Sequence, residues 1–125
     1  MNDNIILLYV EDEESIREEM VDILSLDFKN IHIAKNGQEG LNMFQTFHPD
    51  LVISDIQMPI MDGITMSQKI LEINNEAKII LTTAFNEKDY LEQATKIGVE
   101  SYINKPIDIN ELFEKLNRAI ASKKV

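Results

Sequence analysis

A chain of 125 residues fits one globular domain and is too short for two. Its composition, 44% hydrophobic and 27% charged, belongs to a packed fold and not a disordered chain, and the lack of cysteine excludes disulfides, thiol chemistry and thiolate metal sites. A net charge of −10 opposes direct nucleic-acid binding unless a basic patch is concentrated on one face; Lys115, Arg118, Lys123 and Lys124 form no such patch, being interleaved with Glu111 and Glu114.

From the N-terminus, the first apolar run is Ile5–Val10, far short of the ~20 residues of a membrane span and with no basic region before it, so no membrane association is expected and a cytoplasmic location is the simplest expectation. Four more runs follow at Asn30–Ala34, Leu51–Ser54, Lys78–Thr83 and Glu100–Ile103. Most are too continuous for a sheet with one wet face and read as strands buried on both sides. Between them lie helical stripes: Ile16, Met20, Ile23 and Leu24; Leu41 and Phe44; Met66, Ile70 and Ile73; Leu91 and Ala94; and finally Leu112, Leu116 and Ile120. Asp108 followed by Glu111 resembles a capping box opening the last helix, and Gly98 stands where a glycine would stop the fourth. Gly37 and Gly63 fit turns at helix starts, and only Met1–Asn4 and Ser122–Val125 look frayed. His32 and His48 read as a sheet residue and a pre-proline loop residue, and Met20, Met43 and Met66 as core fillers.

Strand and helix alternate five times across residues 1–125, which predicts an α/β fold with a five-stranded parallel sheet, doubly wound by five helices. The flavodoxin-like order 2-1-3-4-5 is the common five-stranded solution and is taken over as such. Ligands of open α/β sheets bind outside the carboxyl ends of the strands, and here those ends are polar. Glu11 and Asp12 follow the first run, Asp55 the third, Thr82 and Thr83 end the fourth, and Lys105 with Pro106 follows the fifth. Three carboxylates at one rim repel unless a cation compensates them, and oxygen-only ligands favour Mg²⁺ or a similar ion over zinc. A lysine ammonium and a threonine hydroxyl add donors for a phosphoryl group in transfer, with one carboxylate as nucleophile.

Four segments then carry a resemblance: Tyr9-Val10-Glu11-Asp12-Glu13, Asp50-Leu-Val-Ile-Ser-Asp55-Ile-Gln-Met-Pro59-Ile-Met-Asp-Gly63, Thr83-Ala84, and Tyr102-Ile-Asn-Lys105-Pro106. In order and spacing they resemble the receiver domain of two-component response regulators, of the chemotaxis-receiver kind, over essentially the whole chain. The resemblance implies that Asp55 accepts a phosphoryl group as an aspartyl phosphate. It implies Mg²⁺ as cofactor, with Mn²⁺ able to substitute, held by Glu11, Asp12, Asp55 and the main-chain carbonyl of Gln57. Lys105 would pair with Asp55 or the phosphoryl oxygens, Thr83 would hydrogen-bond the phosphoryl group, and Tyr102 would rotate inward. The output would then be a shift of the surface made by the fourth helix, fifth strand and fifth helix. Pro106 would follow a cis peptide, and Pro59 and Gly63 would shape the loop after the acceptor. The implied donor is a histidine kinase or histidine phosphotransfer domain, with an unknown output domain or target protein, in a switch that is not a conventional turnover enzyme.

Three other functions compete. A Mg²⁺-dependent phosphatase with an aspartyl nucleophile would need a second aspartate two residues on, where Gln57 stands, and a flavodoxin-like carrier would not place Glu11-Asp12-Glu13-Glu14 against a flavin phosphate. A degenerate receiver acting only as an interaction module is opposed by the intact acid, threonine and lysine set. Glu100, Ser101 and Ile107 depart from the aspartate pair and phenylalanine of the winged-helix transcription-factor subgroup, which speaks against that subgroup's dimer. Phe85 and Gln57 are expected to flank the route of a water attacking the phosphoaspartate.

Overall fold

The structure, a computed structural model, describes residues 2–84, 88–99 and 101–124. Five strands, β1 (Asn2–Val10), β2 (Phe28–Ala34), β3 (Leu51–Asp55), β4 (Lys78–Thr83) and β5 (Ser101–Asn104), alternate with five helices, α1 (Glu14–Leu24), α2 (Gly37–Phe47), α3 (Gly63–Ile73), α4 (Lys88–Ile97) and α5 (Ile109–Lys124). All neighbouring strands pair in parallel, in the order β2-β1-β3-β4-β5.

The two-residue period of a strand sorts its side chains to opposite faces, and the central strands feed two cores this way. Leu8, Val10, Val52, Ile79 and Leu81 point to one face, where Leu41 and Phe44 of α2, Ile64, Met66 and Ile70 of α3 and Ala94 of α4 cover them. Leu7, Tyr9, Leu51, Ile53 and Ile80 point to the other, under Met20 and Leu24 of α1 and Leu112, Leu116 and Ile120 of α5. Each large aliphatic buried in this way contributes roughly 1.5–3 kcal/mol before entropy is charged against it.

Three expectations change. β2 and β5 close the sheet, so each lacks a neighbouring strand on one side, and β2 has only its end residues Phe28 and Ala34 fully buried. In β5 only Ile103 is buried. On α3, Ile73 is half exposed, and the buried stripe is Ile64, Met66, Ser67 and Ile70. β1 and β2 also begin earlier than their apolar runs, because Asn2 pairs with Phe28 across a register shift.

Local signals end the helices. Asn36 Oδ1 accepts from Glu39 N at 2.8 Å and Asp62 Oδ1 from Thr65 N at 2.7 Å, capping α2 and α3. Asp108 Oδ1 accepts from Asn110 N and Glu111 N at the start of α5. α4 stops at Gly98, whose φ of +104° lets Gly98 N reach Thr95 O and Val99 N reach Ala94 O, a Schellman turn. His48 ends α2 in the left-handed region at φ 49°, while His32 stacks on Phe47 with ring centroids 3.9 Å apart.

Candidate functional site

The register of the sheet decides which side chains meet. Val10 lies beside Ser54, Asp55 beside Thr82 and Thr83 beside Asn104, so the chain leaves β1, β3, β4 and β5 at one rim. Carboxylate oxygens of Glu11, Asp12 and Asp55 all lie within 4.8 Å of one another there. Asp55 Oδ2 accepts from Lys105 Nζ at 2.9 Å and Oδ1 from the Ile56 amide at 2.8 Å. Lys105 is aimed by its own main chain, because its amide donates to Thr83 O at 2.7 Å; the peptide that follows it, to Pro106, is cis.

The loop after β3 is pressed against the end of that strand. Gly63 N donates to Ile56 O at 2.7 Å, and a Cβ on Gly63 would sit 2.1 Å from the Asp55 carbonyl oxygen, so only glycine fits. Pro59 is exposed in that loop, followed by Ile60 at a positive φ of 71°. Thr83 is buried, with its hydroxyl 3.4 Å from Ala84 O. Tyr102 is half exposed, and Lys115 Nζ both donates to its carbonyl oxygen and lies 5.3 Å from its ring centroid. Phe85 and Glu100 lie outside the described residues.

Electrostatics mark the cluster as short of positive charge. Burial, with the nearby Asp55 charge and a hydrogen bond from protonated Glu11 to the Asp12 carboxylate added, pushes the Glu11 carboxyl up to about 7, although the Glu13 amide and Lys105 oppose the rise. Burial pulls Lys105 down, but its hydrogen bond to Asp55 and the charges of Asp55, Glu11 and Glu13 outweigh it and hold the ammonium above its ordinary value. Tyr9, buried beneath Glu11 and Asp55, has its phenol pushed upward and stays neutral. Three convergent carboxylates with no histidine or cysteine suit a hard divalent cation such as Mg²⁺ and poorly suit zinc.

Two partners of the site carry no motif of their own. Arg17 Nη1 donates to Glu11 O at 2.9 Å and Asp12 O at 3.4 Å, fixing the acidic loop; its only sequence signal is a place on the first turns of α1. Gln57 Nε2 is 3.1 Å from Tyr90 Oη in α4, a pairing between residues 33 apart that nothing local announces.

Comparison with known proteins gives the same picture at the level of the chain. The sequence model of the response regulator receiver domain matches residues 7–117. The chemotaxis protein CheY of Halobacterium salinarum is 33% identical over 116 residues, covering 93% of this chain and 97% of that protein. The regulatory protein AtoC of Escherichia coli is 34% identical over 114 residues, covering 91% of this chain, which spans only 25% of AtoC. Among solved structures, a response regulator receiver domain protein from Clostridium thermocellum superposes with a TM-score of 0.90 at 29% identity, covering 96% of this chain and 97% of that one. The N-terminal domain of an uncharacterized Wolinella succinogenes protein follows at 0.88 and 33%, covering 95% and 96%. A match over most of the chain, close superposition on these structures and an acidic rim on the strand ends lead to one conclusion: the chain belongs to the response regulator receiver domain family.

Proposed function

We propose that residues 1–125 act as one receiver switch in a phosphorelay, with Asp55 taking the phosphoryl group from a histidine kinase or histidine phosphotransfer domain. The observation that carries this reading is the Asp55 carboxylate, held between Lys105 Nζ at 2.9 Å and the Glu11 and Asp12 carboxylates. Receiver domains are signalling switches and generally not conventional enzymes, and the output partner of this one belongs to whatever protein reads its surface.

In the transfer, a carboxylate oxygen of Asp55 attacks phosphorus, the oxygen–phosphorus bond forms, and the phosphorus–nitrogen bond to the donor imidazole breaks, its electron pair staying on nitrogen. Lys105 already neutralises Asp55 in the resting site, and its ammonium can follow the charge onto the phosphoryl oxygens. The Ile56 amide fixes the other Asp55 oxygen, so the carboxylate is oriented before the donor arrives. Glu11, Asp12, Asp55 and the Gln57 carbonyl would hold Mg²⁺, which when bound supplies positive charge to the phosphoryl oxygens. Thr83, buried at the end of β4, would then bond the phosphoryl group, and Tyr102, now outward, would turn in. Among the described residues no helix is long and apolar enough to cross a membrane.

Intact mass after incubation with acetyl phosphate and Mg²⁺ tests the proposal. The wild type is expected to gain one phosphoryl group, Asp55→Asn to gain none, and omission of Mg²⁺ to abolish the gain. Equal labelling of Asp55→Asn would overturn it. Repeated turnover of phosphate esters with no stable adduct would favour a phosphatase instead.

A further inference from the structure

We propose that Tyr90 is a positioning residue whose phenol restrains the Gln57 side chain and so lengthens the life of the phosphoryl group on Asp55; this rests on the reading of Asp55 as the acceptor. Gln57 follows Asp55 by two residues, in the loop between β3 and α3, and its side chain is exposed. Its amide nitrogen is 3.1 Å from the Tyr90 hydroxyl oxygen. Tyr90 is the better anchored of the two, because its ring packs partly buried against the core beneath α2, α3 and α4. The bond therefore draws a flexible carboxamide toward α4 and fixes it there.

A phosphoaspartate is lost when water attacks phosphorus: the new oxygen–phosphorus bond forms, the bond to the Asp55 oxygen breaks, and carboxylate and inorganic phosphate leave with one proton released. A carboxamide carries both a donor and an acceptor, so a free one beside the acceptor can hold that water in line. Tethered to Tyr90, the Gln57 carboxamide is turned away from this task. The tether also links α4, part of the signalling face, to the loop next to the acceptor. Movement of α4 away from the loop would release Gln57 and shorten the signal.

Tyr90→Phe keeps the ring and removes only the hydroxyl. Proteins phosphorylated with acetyl phosphate are desalted into Mg²⁺-containing buffer, and the phosphorylated mass is followed over time in the wild type, Tyr90→Phe, Gln57→Ala and the double variant. The phosphoryl group is expected to decay about three- to tenfold faster in Tyr90→Phe, the effect of one hydrogen bond. In the Gln57→Ala background Tyr90→Phe is expected to change nothing, which a general loosening of α4 would not reproduce. Equal or slower decay in Tyr90→Phe, or the same acceleration in both backgrounds, overturns the tether while leaving the acceptor intact. A wild type that gains no phosphoryl mass overturns the acceptor reading and the tether with it.

Discussion

Ile60 holds a backbone φ of 71° with its side chain 82% exposed. A β-branched residue in the left-handed region crowds its Cβ against the following carbonyl, at a cost of roughly 1–2 kcal/mol, and an exposed side chain offsets little of it by burial. Asparagine tolerates this conformation far better, so Ile60→Asn is expected to raise stability by about 1 kcal/mol, read from the urea midpoint at unchanged slope. An unchanged or lower midpoint would show that the loop carries no such strain. Lys105 makes the opposite kind of case, a residue whose worth under the proposed function would be chemical. Its folded pKa lies above the ordinary 10.5, so its ion pair with Asp55 is fully present below that value and fades only as pH rises through the folded pKa. Lys105→Met is therefore expected to slow phosphorylation by acetyl phosphate roughly a hundredfold at neutral pH while leaving the domain folded. Circular dichroism alongside the mass assay separates the two effects.

Helix α3 contains a buried polar group that packing does not need. Ser67 is fully buried, and among the described residues its hydroxyl is a buried side-chain atom with no hydrogen-bond partner. Ser67→Ala removes that unpaired group and improves helix propensity, and is expected to stabilise the domain by about 1 kcal/mol in urea unfolding. Ser67 also shows where the sequence was hard to read. Periodicity located α3 through Met66 and Ile70 but ran on to Ile73, which lies in the last turn and is half exposed, and it passed over a serine on the buried face. The central strands were legible because Leu7 to Val10, Leu51 to Ile53 and Ile79 to Leu81 are apolar on both faces. The edges were not, since their exposure depends on which strand ends up outermost. At the rim, Glu11, Asp12, Asp55 and Lys105 could be named from strand ends alone, whereas the partnerships of Arg17 and Tyr90 depend on how separate elements pack.

For the whole molecule, acid dominates: the net charge is −10, and three carboxylates are gathered at one end of the sheet. Packing and site therefore oppose each other when no cation is bound. The Glu11 carboxyl, pushed from 4.5 up to about 7 in the fold, binds its proton more tightly there than in the unfolded chain. Between those two values the folded state holds more protons on this group, so its contribution to stability is greatest below the lower one and is lost as pH rises through about 7. The loss is expected to be on the order of 2 kcal/mol for this buried group. Urea unfolding of the metal-free protein across this range should show the decline, and Glu11→Gln, which cannot ionise, should flatten it. Mg²⁺ competes with the proton for the same oxygens, so its stabilisation is expected to be small in acid and largest above pH 7, reaching about 1.4 kcal/mol at a concentration ten times its dissociation constant. If Mg²⁺ stabilised the protein equally at all pH values, or if Glu11→Gln kept the full slope, the cation would have to be held away from Glu11. The same competition would tie the proposed switch to its ion, because the three carboxylates of the rim repel one another without one.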